Sequence, residues 1–171
     1  MLEYVIKQTL SSKLIKKVII ATTKKNEDLP IIEYCKKNNL MYFRGSNKDL
    51  LDRYYKCAKK FKGDMIVRIT ADNPLVEPTL IDKIIQIAIN TKCDFATNMM
   101  EQTYPLGYLV EVFPFRVLEK LYMNQKDPLT REHVTYHIKK NPKLYNIQNY
   151  TLPKDLARPE WRLAVDEEKA L

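Results

Sequence analysis

The sequence predicts an α/β protein with a doubly wound, mostly parallel sheet in a three-layer α/β/α arrangement, and three observations predict it. Short apolar, β-branched runs alternate with amphipathic helical stretches, the pattern of successive βαβ units. The run Met65-Ile66-Val67-Arg68-Ile69-Thr70 has the composition of a strand buried on both faces of a parallel sheet. It stops on Ala71-Asp72-Asn73-Pro74, turn chemistry that places Asp72 just beyond the strand's carboxyl end, where open α/β sheets bind ligands. Asp72 and Asn73 therefore carry two readings, a turn shaped by short polar side chains or a binding site.

The other elements follow in order. Leu2, Val5, Ile6, Thr9 and Leu10 fall at helical spacing, and Lys17 to Thr22 reads as a strand followed by a polar loop to Asp28. Pro30 to Lys37 reads as a helix with Asp28 available to cap its free amides. Met41 to Phe43 is a short strand ending at Arg44-Gly45-Ser46, and Asp49 to Phe61 is an amphipathic helix with Leu50, Leu51, Tyr54, Tyr55 and Ala58 inward. After the central strand comes a helix from Glu77 to Asn90, with Pro78 suited to its first turn. Asp94 to Asn98 is a strand, Tyr104-Pro105-Leu106-Gly107 a turn, and Tyr108 to Phe113 extended. Phe115 to Met123 and Leu129 to Lys140 read as helices, Tyr145 to Thr151 and Arg162 to Val165 as strands. The opening helix has no strand before it to pack on, and the acidic run Asp166-Glu167-Glu168 looks like the start of another helix.

With 171 residues the chain is long enough for one domain with a substantial core. It has no apolar run of membrane-spanning length and no signal-peptide pattern. Cys35, Cys57 and Cys93 are odd in number and widely spaced, which fits reduced thiols and a cytoplasmic location. The net charge of +8 is spread over lysine doublets at element ends. That spacing lacks the aromatic interleaving of a nucleic-acid face and suits anionic small substrates instead. Only three glycines occur, with no glycine-rich phosphate loop, so any phosphate must be held by other means.

Four stretches now become recognisable. Phe43-Arg44-Gly45-Ser46 with Asp49-Leu50-Leu51-Asp52-Arg53-Tyr54-Tyr55, then Arg68 to Pro74, Arg131-Glu132-His133-Val134-Thr135, and Leu163-Ala164-Val165-Asp166-Glu167 occur in this order. Together they resemble the signatures of the cytidylyltransferase family, which activates acidic sugars as CMP conjugates. Its members include acylneuraminate and 3-deoxy-manno-octulosonate synthetases, and the resemblance is nearest to the branch of spore coat polysaccharide biosynthesis protein F. It implies a nucleotide-diphospho-sugar transferase-like fold, CTP and an acidic sugar as substrates, Mg²⁺ as cofactor, a homodimer with Tyr104 to Met123 at the contact, and neither nucleic acid nor membrane as partner.

By that resemblance Asp72 and Asp166 are the catalytic and metal carboxylates. Phosphoryl transfer builds charge on phosphate oxygens, and an ion held by one or two carboxylates neutralises it. The competing reading of Asp166 is a carboxylate facing helix amide dipoles. Asn73 joins the substrate-binding candidates. Arg44 and Ser46 end a strand where they would meet phosphate or base, or else form a turn that uses Gly45 for its backbone angle. Arg131 is the group suited to a sugar carboxylate, His133 lies in the same motif, and Glu111 is a further polar contact. Arg68 reads as a buried partner of Asp52 or Asp72, and Asp52 and Arg53 as structural pairs to neighbouring elements. His133 and His137 share one helix face, but no third ligand makes zinc credible. Trp161 reads as core or interface.

Two departures from the family pattern stand out. The family's opening strand and loop of the type Q-A-R-x-G-S-x-R-L-P-G-K has no counterpart, which predicts a single domain over 1–171 lacking its first strand and nucleotide loop. Leu106 and Leu109 stand where spore-coat-type relatives carry Asp. These departures motivate the alternative of a non-catalytic remnant or assembly subunit of the same fold.

Overall fold

The computed structural model describes residues 1–166 as a mixed α/β fold that divides into two compact units. The first contains Met1–Lys16, Val67–Phe113 and the chain from Tyr145; the second contains Lys17–Ile66 and Pro114–Leu144.

The first unit opens with α1, Leu2–Leu10, which buries Val5, Ile6 and Thr9 and packs on α4, Pro78–Thr91. The helix predicted to lack a strand partner thus finds a helix partner. Asp82 of α4 fixes the turn after α1, accepting from Ser12 Oγ at 2.5 Å and from the Lys13 and Leu14 amides at 3.0 and 3.1 Å. Its sheet has the order β3-β5-β4-β6. The strands are β3, Met65–Arg68, β4, Phe95–Thr97, β5, Glu111–Pro114, and β6, Ile147–Asn149. β4 runs parallel to β6 and antiparallel to β5. The core joins Val76, Leu80, Ile81, Ile84 and Ile85 to Ala96, Val110 and Val112. A buried set of this kind, at about 1.5–3 kcal/mol per large side chain, is the main stabiliser of the unit.

In the second unit β1, Ile19–Thr23, pairs parallel with β2, Met41–Gly45. Helices α2, Leu29–Lys37, and α3, Leu50–Phe61, pack against β2. Helix α5, Phe115–Asn124, packs on α3, where Tyr55 stacks between Phe115 and Tyr122, with ring centroids 5.7 and 4.0 Å away. The short helices α6, Pro128–Glu132, and α7, Tyr136–Lys140, complete it.

Several expectations need correction. The central strand is shorter than predicted and only partly buried, because β3 stands at one end of the sheet order. Arg162 to Val165 forms no strand among the described residues, where its one ladder contact is a bridge between Arg162 and Leu106. The predicted helix from Leu129 to Lys140 breaks at His133, whose φ of −121° and ψ of 86° are not helical. Asp28 does not cap α2; its carboxylate turns back to Thr22 Oγ1 at 2.6 Å and the Thr23 amide at 2.8 Å. Those hydrogen bonds, Thr22 first, hold the Asp28 carboxyl below its ordinary value. Gly45 supplies space rather than a special backbone angle: a Cβ there would lie 2.7 Å from Arg53 Cγ and 2.8 Å from Phe43 Cε1. Glu167 and Glu168, read as a helix start, lie outside the described residues.

Candidate functional site

In the first unit the chain turns as soon as β3 ends. Asn73 N–H bonds the Thr70 carbonyl at 3.2 Å, and Val76 N–H bonds the Asn73 carbonyl at 3.3 Å, so two successive turns carry Asp72 and Asn73 past the strand. Both side chains hold an unsatisfied buried atom: Asp72 Oδ1 and Asn73 Nδ2 have no hydrogen-bond partner among the described residues. Asn73 is 3% exposed. A buried polar atom left unpaired costs about 1–3 kcal/mol, so a polar group that reached this turn would be stabilised there.

The segment bearing Asp166 meets this turn through the backbone. Val165 N–H donates to the Asp72 carbonyl at 2.8 Å, and Leu163 N–H donates to the Leu106 carbonyl at 2.6 Å. Gly107, at φ 112°, allows the close approach: a Cβ there would lie 2.6 Å from Ala164 N. Asp166 itself is exposed and accepts from Arg162 Nη2 at 2.6 Å. Asp72 and Asp166, distant in sequence, are thus attached to adjoining backbone.

A polar row crosses the same sheet. Arg68 of β3 donates from Nη1 to Glu111 Oε2 of β5 at 2.7 Å, and Glu111 is fully buried. The predicted partner of Arg68 was Asp52 or Asp72; it is Glu111. Glu111, expected as a substrate contact, is committed to this pair. Thr97 of β4 lies opposite Glu111 in register, fully buried with Oγ1 unpartnered among the described residues. Asn98, which the sequence reading did not single out, is fully buried and pins the neighbouring loop, donating to the Tyr108 carbonyl at 2.9 Å and accepting from Val110 N–H at 3.0 Å. An asparagine closing a predicted strand was its available signal.

The second unit holds Arg44, Ser46, Arg131 and His133. A cavity of about 290 Å³ is lined by Lys24, Phe43, Arg44, Gly45, Ser46, Asp52 and Lys56. Arg44 spans from β2 to the loop after β1, donating to the carbonyls of Thr23 at 3.1 Å and Lys25 at 3.0 Å. Ser46 Oγ accepts from the Asp49 amide at 3.1 Å and so shapes the entry to α3. Lys24 and Lys56 add positive charge to the lining, and neither was singled out in the sequence. Asp52 is neutralised within its own helix by Lys56 at 2.8 Å. Arg53 packs across Gly45 with Nε buried, and burial lowers the pKa of its guanidinium.

Arg131 is built into the fold. Asp49 caps α3 by accepting from the Asp52 amide at 2.8 Å, and its other oxygen takes Arg131 Nε at 2.8 Å and Nη2. The guanidinium also donates to the Tyr122 carbonyl at 3.2 Å and lies 5.0 Å above that residue's ring. His133 is exposed where α6 ends, whereas His137 lies in α7 between Gln125 and Asn141, so the two do not share one helix face. Among the described residues no cluster of three or more His, Cys, Asp or Glu could hold a metal ion by itself.

The family model described as cytidylyltransferase matches residues 1–165. An uncharacterized protein of Methanocaldococcus jannaschii is 41% identical over 165 residues, 96% of this chain and 67% of that protein. The spore coat polysaccharide biosynthesis protein SpsF of Bacillus subtilis is 33% identical over 150 residues, 87% of this chain and 61% of its own length. A cytidylyltransferase structure from Leptospira borgpetersenii superposes with a TM-score of 0.93 at 30% identity, covering 99% of this chain and 71% of that one. A CMP:2-keto-3-deoxy-manno-octonic acid synthetase structure complexed with CTP shares the fold, with a TM-score of 0.67 at 13% identity over 88% of this chain and 78% of that one.

Proposed function

The chain belongs to the cytidylyltransferase family, and we propose that it serves the transfer of a cytidylyl group from CTP to an acidic sugar, with Mg²⁺ as cofactor, in surface polysaccharide biosynthesis. One observation carries the reading: Asp72 presents a buried carboxylate oxygen, unpartnered among the described residues, at the carboxyl end of β3, beside backbone that leads directly to Asp166.

Those residues fit the ion. Mg²⁺ prefers oxygen ligands and usually takes one or two carboxylates, leaving the rest of its octahedron to phosphate oxygens and water, so a three-ligand protein cluster is not required. Asp72 Oδ1 and the carboxylate of Asp166 would hold it, and it would neutralise charge developing on the triphosphate. The chain's own groups do the remaining work. Asn73 Nδ2, buried and without an acceptor, donates to a substrate oxygen. With Lys56 and Asp52 cancelling, Lys24 and Arg44 leave their cavity a positive potential that favours an anionic ligand. With Arg131 held by Asp49, His133 is the motif residue left to meet a sugar carboxylate. The homodimer and a cytoplasmic location belong to the same proposal; among the described residues no helix is long and apolar enough to cross a membrane.

The test is pyrophosphate release from CTP and Mg²⁺ in the presence of 3-deoxy and acylated nine-carbon sugar acids. Release that depends on the sugar is expected. No release with any sugar acid, by protein shown to be folded, would overturn the proposal.

A further inference from the structure

Asp166 is not a bare carboxylate. Arg162 Nη2 reaches its Oδ2 at 2.6 Å across one i,i+4 step, and the two side chains are 50% and 38% exposed. Both residues project from a segment whose backbone is fixed on either side. Leu106 N–H bonds the Trp161 carbonyl at 2.9 Å, Leu163 N–H bonds the Leu106 carbonyl at 2.6 Å, and Val165 N–H bonds the Asp72 carbonyl at 2.8 Å. Gly107 seals the contact, since any larger residue would strike the Leu163–Ala164 peptide. These bonds anchor the backbone from Trp161 to Val165, so side-chain rotation is the simplest way for the Arg162–Asp166 pair to change.

The Val165–Asp72 hydrogen bond joins this segment to the turn of Asp72, which is part-buried with one oxygen unsatisfied among the described residues, and of Asn73, whose buried amide is likewise unsatisfied. Two carboxylates carried on adjoining backbone repel where their side chains approach unless a counter-charge is present. Arg162 supplies that charge from within the chain. An exposed pair of this kind is weak, so a divalent cation with a second carboxylate to bind can displace it.

We propose that Arg162 is a tethered counter-ion for Asp166: it neutralises the carboxylate before a divalent cation binds, gives way to the cation, and then turns its guanidinium to the phosphates of the substrate. This rests on the Asp72–Asp166 reading above and adds a phosphate-binding residue to it. A planar guanidinium suits both partners, because carboxylate and phosphate present the same pair of oxygens.

The test uses Mn²⁺ as the probe, followed by electron paramagnetic resonance at low ionic strength, and inorganic pyrophosphate as the anion. Variants are R162Q, R162K, D72N and D166N of the full chain, each checked by thermal melting. R162Q is expected to tighten Mn²⁺ binding two- to fivefold and to weaken pyrophosphate binding to the Mn²⁺-loaded protein about fivefold or more, with R162K between R162Q and the parent. A purely structural Arg162 would move both affinities in the same direction, or neither, and that result overturns the counter-ion assignment. If R162Q melts early, R162K is judged by the same opposed signs. D72N and D166N are each expected to weaken Mn²⁺ at least tenfold. If they leave it unchanged, the metal-site reading fails as well; if they weaken it while R162Q and R162K have no effect, only the role of Arg162 fails.

Discussion

Glu111 sits at 0% exposure with its charge matched by Arg68 at 2.7 Å, and the consequences of disturbing it can be stated. Glu111→Leu would leave the Arg68 guanidinium, itself 13% exposed, without its carboxylate. Removing one member of a buried pair costs about 3–5 kcal/mol, and urea unfolding monitored by circular dichroism should show a loss of that size. Asp72→Asn should behave oppositely: it preserves shape and removes one charge, so folding stability should change by less than about 1 kcal/mol while sugar-dependent pyrophosphate release falls at least a hundredfold. A comparable loss of stability and activity would show Asp72 to be structural. The three cysteines are buried, and burial pushes the Cys57 thiol up to about 11. Native protein should therefore react with a thiol reagent slowly at neutral pH, and at full stoichiometry only after unfolding.

At the scale of elements, helix α3 depends on Asp49, which both caps it and receives Arg131 from α6. Asp49→Ala should cost more than the about 0.5–2 kcal/mol of a cap alone, because the guanidinium loses its acceptor. A double-mutant cycle with Arg131→Ala should show coupling above about 0.5 kcal/mol; additive effects would mean that the two contacts act independently. The scarcity of glycine has its own element-scale consequence. Helices α3 and α4 end on Lys62 and Lys92 in the left-handed region, where glycine usually serves. Lys92→Gly should raise stability by about 0.5–1 kcal/mol, read from the denaturation midpoint. The loop after β1 supplies a pH dependence. Hydrogen bonds from Thr22 and Thr23 depress the Asp28 carboxyl, so its contribution is present above the unfolded carboxylate value and is lost as pH falls through the folded one. Thr22→Val should raise the Asp28 titration midpoint in carboxylate NMR and diminish that acid-side loss.

At the scale of the molecule, the excess of eight positive charges and the alternation of strands and helices were legible in the sequence because each is a sum over many residues. So was the family, since four short motifs in order carry more information than any of them alone. Element types survived well; boundaries and special interactions did not. The helix from Leu129 to Lys140 looked continuous because its apolar spacing is continuous, but the non-helical backbone at His133 divides it. The strand from Arg162 to Val165 looked sound by composition, yet among the described residues it has one bridge, because Leu106 offers a turn, not a strand, to pair with.

The sequence by itself determined the α/β class, the family, and the placing of Asp72 where a strand gives way to a turn, because these depend on local periodicity, ordered motifs and turn chemistry. Only the tertiary structure decided which charges are already occupied. Arg131 belongs to Asp49, Arg68 to Glu111 and Arg162 to Asp166, while Asp72 Oδ1 and Asn73 Nδ2 are left without partners among the described residues. The physical reason is that ion pairs and buried unsatisfied atoms are properties of distance and desolvation, and neither quantity is written in the order of residues along the chain.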